Sequence, residues 1–382
     1  MALLAAAMAI LPNPRPDSTP LRVPAESTLV LSGGRYLDIR AGILRPNGAI
    51  VLRGGKIVEM HPPGGQWHSP ADAEVLDQSG RTILPGLIDA HVHLTLAGPP
   101  RENAAATLRA GFTTVADLGA ARGGGVRLRD AIAAGAAIGP RVIAAGSWIG
   151  AKGGVCEFGG ATVSTSDEAG ARARADLETG ADLLKVCVTG WPADAVSSPD
   201  SVELKADMLQ AVMDVGRAAR RPVYAHAIGR AGALLAARQG VRALAHTPIV
   251  DSTGAAELKA SGVYLISTLA TLTAGPGGDR VLQSFQLLRQ AGVPIVFGTD
   301  AGVLPHGSNT KEFAALTGAG LSPLEALRAA TLTAAALLGL AEVGEIAAGK
   351  AGDLVVVSGD PLSDVRVLDK PLLVVKAGQV VR

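Results

Sequence analysis

Apolar positions along this chain follow two rhythms. From about Thr28 to Thr82 they form short β-prone runs, Thr28–Ser32, Ala49–Arg53, Lys56–Met60 and Ala73–Leu76, with Gly33-Gly34 and Gly54-Gly55 between them. That pattern predicts a small antiparallel sheet. From Ile83 the rhythm changes. Leu87–His93, Gly111–Asp117, Pro140–Gly146, Ala181–Val188, Pro222–His226, Val241–His246, Gly262–Thr268 and Pro294–Asp300 read as strands. Most are separated by Ala-, Leu- and Arg-rich helical segments such as Asp167–Thr179, Lys205–Ala219, Arg230–Arg238 and Arg280–Gln290. Eight apolar strands alternating with helices predict the α/β class, and eight units favour a closed (β/α)8 TIM barrel over an open doubly wound sheet.

After a predicted helix over Pro323–Leu338 the chain returns to β-type runs: Gly344–Ile346, Asp353–Ser358, Leu372–Lys376 and Gln379–Arg382. The simplest arrangement brings both chain ends together as a discontinuous β-sandwich domain, residues 28–82 and 344–382, beside a barrel spanning residues 83–343. Gly123-Gly124-Gly125 lacks the strand–GxGxxG–helix context of a nucleotide site and reads as a flexible turn.

Composition narrows the chemistry. Hydrophobic residues make up 48% of the 382 positions and aromatics 3%, so the core must be built from Ala, Val, Leu and Ile. Thirty-five basic against 34 acidic residues leave a formal charge of +1. That balance gives no electrostatic reason to expect nucleic acid or a membrane surface as partner. A small-molecule substrate is the expectation, and a homo-oligomer is left open. Cys156 and Cys187 make no disulfide framework; Cys187, in an apolar run, reads as a small buried hydrophobe. Residues 1–27 begin with an apolar run and continue Pro-rich. Without a basic n-region they match a secretory signal incompletely. A cytoplasmic protein is the first expectation, and a truncated signal, implying a secreted or periplasmic one, is the second.

Ligand-type residues fall at the predicted C-terminal strand ends, where barrel enzymes keep their reactive groups. They are His91 and His93 on the first strand, Lys185 on the fourth, His226 on the fifth, His246 on the sixth and Asp300 on the eighth. Two residues apart on a strand, His91 and His93 face the same way with Cα atoms about 6.6 Å apart, close enough to converge on one zinc-like ion. Each residue alone has a structural explanation: a hydrogen-bonded core histidine, a snorkelling lysine, a capping carboxylate. Six on one rim point instead to a metal site. His61 and His68, in Pro/Gly-rich surroundings, read as surface residues.

On these residues the chain resembles the amidohydrolase superfamily, and within it the imidazolonepropionase-like and Xaa-Pro dipeptidase-like (prolidase-type) group. The stretches that carry the likeness are Leu84-Pro-Gly-Leu-Ile-Asp-Ala-His-Val-His93, Gly180-Ala-Asp-Leu-Leu-Lys185 and Tyr224-Ala-His226, then Ala245-His246, Phe297-Gly-Thr-Asp-Ala-Gly302 and Gly349-Lys-Ala-Gly-Asp-Leu-Val355. The resemblance implies two divalent ions, zinc by expectation. One would be held by His91, His93 and Asp300 and the other by His226 and His246, with Lys185 bridging as a carbamate formed from carbon dioxide. It implies hydrolysis of an amide-type C–N bond with Asp300 as general base and acid. An ester-type or lactone hydrolase, or a mononuclear deaminase, is the alternative.

The likeness weakens in the loops that choose the substrate. Ile228 stands where prolidase-type relatives carry a carboxylate-binding tyrosine, and Val155 follows Gly153-Gly154 where they carry a histidine. Trp191 replaces a usual glycine, and Thr247 follows His246 where glycine is common. These changes predict a pocket for a neutral or hydrophobic substrate. Trp191 reads equally well as a packing residue that stiffens its loop. His306 is the candidate substrate contact outside the metal ligands, with a solvated loop histidine as the competing view.

Overall fold

The computed structural model describes residues 27–192, 197–275 and 277–381; the apolar and Pro-rich leader, apart from Ser27, lies outside them. Eight parallel strands run in chain order: Leu87–Val92, Phe112–Asp117, Arg141–Ala151, Leu183–Cys187, Val223–His226, Ala243–Ala245, Tyr264–Ile266 and Ile295–Val296. The first and last meet through backbone hydrogen bonds, Ala90 N to Phe297 O (3.0 Å), Asp300 N to His91 O (2.8 Å) and His93 N to Ala301 O (2.6 Å). The expected barrel is therefore present, with its seam between the first and eighth strands.

The barrel interior shows how a chain poor in aromatics fills such a fold. Ile88, Ala90, Ala116, Ala145, Leu183, Tyr224, Ala243, Ala245, Ile266 and Val296 form one buried cluster inside it. Short alanine side chains crowd the axis, and Tyr224 is the large side chain among them, its hydroxyl donating to Leu337 O at 3.4 Å. A larger aliphatic cluster lies between the strands and the helices. Burying each Val, Leu or Ile there stabilises the fold by about 1.5–3 kcal/mol.

Two further sheets are mixed, not the single antiparallel sheet expected, because Thr28–Ser32 runs parallel to Glu74–Asp77 and Arg35–Asp38 parallel to Arg81–Pro85. The N-terminal segment alone builds the first, and both chain ends build the second. One has the order Lys56–His61, Ala49–Arg53, Thr28–Ser32, Glu74–Asp77. The other runs Gln379–Val380, Leu373–Lys376, Leu354–Ser358, Arg81–Pro85, Arg35–Asp38, Ile43–Pro46. Leu29, Leu31, Ile50 and Ile57 of the first pack with Ile83, Leu354, Val356 and Val375 of the second. Arg81–Pro85 thus belongs to a sheet, and the chain enters the barrel only at Leu87.

Several local expectations differ from the structure for physical reasons. The single helix expected over Pro323–Leu338 is two, Pro323–Ala329 and Leu332–Leu338. The carbonyls of Ala329 and Ala330 accept from the amides of Phe297 and Ile88 instead of continuing a helical ladder, and Thr331 turns non-helical at φ −138°, ψ −92°. Gly344–Ile346 is not a strand. The triple glycine is not a loose turn, because a helix, Gly124–Ala133, begins inside it. Cys156 and Cys187 are joined in a disulfide, so Cys187 is not the solitary small hydrophobe expected. His61 is partly covered by a stacked Trp67, with ring centroids 4.8 Å apart, and bonds Glu59 at 2.8 Å; His68 is exposed as expected.

Candidate active site

Strand ends bring the six expected ligand-type residues to one end of the barrel, and all six are buried. The first strand slips register against the second between Asp89 and Val92. His91 and His93 then turn to the same side, with Nε2 atoms 3.2 Å apart. Asp300 Oδ1 lies 3.3 Å from His91 Nε2 and 3.2 Å from His93 Nε2. His246 joins His91 and Asp300 in a group whose donor atoms lie within 4.8 Å of one another. Ring centroids are 4.8 Å apart for His91 and His246 and 4.6 Å for His226 and His246.

The backbone is bent to make this arrangement. His246 (φ 79°), Thr268 (φ 47°) and Asp300 (φ 59°), at the ends of the sixth, seventh and eighth strands, all adopt left-handed conformations. Such conformations cost of order 1 kcal/mol or more each and persist where the surroundings impose them, often at functional sites. Thr268 Oγ1 holds His246 Nδ1 at 2.9 Å, which fixes the ring and directs Nε2 away. Gly190 O takes His226 Nε2 at 3.3 Å, and Gly119 O takes His93 Nδ1 at 3.4 Å.

Electrostatics follow from burial. Burial, reinforced by the neighbouring Lys185, pushes His226 down to about 4. His91 and His246 are driven well below the ordinary histidine value, again chiefly by burial. All three imidazoles are therefore neutral, the form that ligates metals. Burial likewise pushes the Lys185 ammonium down to about 7, against the opposing charge of Asp300, so a neutral amine is accessible. Burial alone would raise Asp300, but the hydrogen bond with His93, backed by electrostatic attraction from the surrounding His246, His93 and Lys185 side chains, outweighs it and holds the carboxyl below the usual carboxylate range.

The donor set fits a metal ion on spacing. Ligands at 2.0–2.1 Å in a tetrahedron stand about 3.3–3.4 Å apart. The triangle of His91 Nε2, His93 Nε2 and Asp300 Oδ1 has sides of 3.2–3.3 Å. Two nitrogens and a carboxylate oxygen are also a donor chemistry that suits zinc.

The expected substrate contacts fare differently. Trp191 packs over the second pair of histidines, with centroids 5.9 Å from His226 and 5.2 Å from His246. Ile228 is fully buried in the strand–helix core, its amide donating to Thr189 Oγ1 at 2.9 Å, so it lines no open surface. Val155 packs beside the disulfide and Trp148, its amide donating to Glu203 at 2.8 Å. His306 is committed at both nitrogens: Nε2 lies 3.2 Å from His93 O, and Nδ1 lies 3.3 Å from Thr107 Oγ1. It braces the strand that carries His93, and neither ring nitrogen is left to receive a substrate.

Three features at the site went unread in the sequence. Asp89 is fully buried and accepts from the amides of His91 and Thr299 (3.1 Å each), Thr299 Oγ1 (2.6 Å) and Asn309 Nδ2 (2.8 Å). It ties the first strand to the chain around Asp300. Trp148 stands in register with Lys185 after a bulge in the third strand, its ring 5.4 Å from His93. The disulfide lies in the same layer, since Cys187 is in register with His226. Asp89 sat in plain view inside the His-x-His stretch; the other two depend on a bulge and on a tertiary contact.

Comparison with known proteins agrees with this geometry. The profile of the Amidohydrolase family matches residues 82–381. Ochratoxinase of Aspergillus niger is 25% identical over 353 residues, covering 76% of this chain and 72% of that protein. Imidazolonepropionase of Cereibacter sphaeroides is 29% identical over 392 residues, covering 86% of this chain and 93% of that protein. A crystal structure of a Xaa-Pro dipeptidase with bound methionine superposes with a TM-score of 0.87 at 27% identity, over 93% of this chain and 99% of that one.

Proposed function

This chain belongs to the amidohydrolase family, and from that premise we propose that it is a binuclear metal-dependent hydrolase of an amide-type C–N bond in a peptide, N-acyl amino acid or cyclic amide. The observation that carries the reading is the donor triangle of His91, His93 and Asp300, whose sides match the edges of a zinc coordination tetrahedron. These three residues would hold one ion, and His226 and His246 the other. Lys185 would bridge them as a carbamate: its neutral amine would add to the carbon of carbon dioxide and release one proton to solvent, leaving a single negative charge shared by two oxygens. Two divalent ions would supply a Lewis acid that lowers the pKa of a water toward ~7 and polarises a scissile carbonyl.

The chain's own groups do the proton work. Asp300, kept ionised by its neighbours, accepts the proton of the attacking water and delivers it to the leaving nitrogen as the C–N bond breaks. Thr268 and Gly119 hold His246 and His93 in fixed ring orientations throughout. Trp191, packed against His226 and His246, excludes water from that side. The apolar Trp191 ring beside His226 and His246 favours a substrate without a free charge on that side.

The test is metal analysis of protein purified with bicarbonate, combined with a mass-spectrometric hydrolysis panel of dipeptides, N-acyl amino acids, neutral and cyclic amides, and lactones. Two ions per chain, lost to near one in Lys185→Ala, together with amide cleavage, support the reading. One ion in the wild type, or two ions and full activity in Lys185→Ala, overturns the bridging role; turnover of lactones alone overturns the amide assignment.

A further inference from the structure

Every large hydrophobic side chain exposed on the barrel, among the described residues, sits at the end that carries the site. These are Phe158, Val202 and Val303, in the loops after the third, fourth and eighth strands, and Phe158 is the most exposed at 64%. Exposed apolar groups gathered at one functional face mark a place where something apolar binds. Phe158 is not an isolated surface ring. Its ring centroid is 5.0 Å from that of Trp148, and Trp148 is 5.4 Å from His93. An aromatic path thus leads from solvent to a residue of the donor triangle in two steps.

The path is held rigid. Trp148 is gripped between two glycines: a Cβ on Gly119 would lie 2.5 Å from the indole Nε1, and one on Gly159 would lie 2.5 Å from the indole Cε3. Gly119 also bonds His93 through its carbonyl. The loop carrying Phe158 is fastened two residues earlier by the Cys156–Cys187 disulfide. A bare solvent-facing loop would not require so many fixed contacts beneath one exposed ring.

We propose that Phe158 and Trp148 form a specificity subsite for a planar aromatic group carried by the substrate close to its scissile amide. The proposal rests on the hydrolase reading above and sharpens it from an apolar substrate to an aromatic one. Phe158 offers its free face to the incoming ring, and Trp148 sets the ring's distance from His93. Offset or edge-to-face aromatic pairing, unlike simple burial, discriminates a phenyl from a cyclohexyl group of nearly equal area.

The experiment compares matched phenyl and cyclohexyl substrates on each side of the bond, phenylacetyl against cyclohexylacetyl amides and benzylamides against cyclohexylmethylamides, using the metal-loaded full-length enzyme. The expected wild-type preference for phenyl in one series is about 3- to 10-fold in kcat/KM, the scale of one aromatic pair. It resides in KM, falls to near unity in Phe158→Ala and is retained in Phe158→Tyr. No phenyl preference in the wild type, or one unchanged in Phe158→Ala, overturns the subsite. If no amide is turned over, the hydrolase reading fails separately, and binding of N-acetylbenzylamine decides the subsite. It is followed by fluorescence quenching in a Trp67→Phe/Trp191→Phe background that leaves Trp148 as the reporter. Affinity that weakens about 3- to 10-fold with Phe158→Ala supports the subsite; quenching that is absent or indifferent to residue 158 overturns it.

Discussion

Replacing both Cys156 and Cys187 by serine removes a covalent tie while changing side-chain volume little. The two half-cystines are 31 residues apart in sequence, and the enclosed segment includes the short strand Thr162–Val163 and the helix Ser166–Glu178. In the chain-entropy picture a closed loop of that size restricts the unfolded ensemble by about 3.7 kcal/mol at 25 °C. At about 2.1 cal/mol/K of unfolding entropy per residue, a chain of 382 residues unfolds with about 0.8 kcal/mol/K, so the midpoint should fall by roughly 4–5 °C. Both half-cystines are buried, so the two serine hydroxyls add a burial cost to the folded state, and the fall worked from the unfolded state is a lower bound. The assay is calorimetry of wild type and double variant without reductant, paired with thiol titration in denaturant. Wild type should titrate no thiols until reduced. Two titratable thiols in unreduced, denatured wild type, or a double variant melting within about 1 °C of it, would refute the reasoning.

Further outcomes follow from individual side chains. Asp89→Ala leaves buried donors on His91, Thr299 and Asn309 without their acceptor. At about 1–3 kcal/mol for an unmatched buried group, it should lower urea stability by at least about 3 kcal/mol and metal content with it; a change under 1 kcal/mol would contradict the network's role. His306 is pushed down to about 4, chiefly by burial, below the roughly 6.5 of an unfolded histidine. Its neutral form therefore contributes stability that is complete above pH ~6.5 and is lost as pH falls toward 4. Allowing for its partial exposure, wild type should lose about 1–2 kcal/mol more than His306→Gln between pH 7.5 and pH 5 in urea titrations. Equal losses would show that the ring is not held neutral.

How much of this was legible in the sequence depends on whether a residue's neighbours are fixed by local rules. His91, His93, His226, His246 and Asp300 could be placed together because parallel strands in a barrel put their C-terminal ends on one rim, whatever the loop details. Lys185 was visible for the same reason, standing at odds with its apolar run. Trp148 was not, because the third strand gains a bulge that no alternation pattern shows. The disulfide depends on a contact across strands between two cysteines that composition alone treats as independent. His306 was recognised as lying near the site, but its two hydrogen bonds point it inward to Thr107 and His93, and ring direction is a property of packing. Ile228 follows the same lesson: the resemblance set it among the expected substrate contacts, yet the structure absorbs it into the aliphatic core. Thr331 breaks an otherwise continuous helical pattern because two strand amides claim its neighbours' carbonyls.

The barrel seam has a consequence for how this protein comes into being. Asp89 and Thr299, which clasp each other across it, are 210 residues apart in the chain. While the chain is being synthesised, the edge of the first strand and the carboxylate of Asp89 wait for their long-range partners, Thr299 and Asn309, until the eighth strand and the loop after it arrive. His91 and His93 wait with them, lacking Asp300. The donor triangle is thus assembled by the same event that closes the sheet, and an early fragment holds only part of it. A metal ion gripped by both sides would add its binding free energy to closure itself, acting as a clasp on the join that completes the barrel.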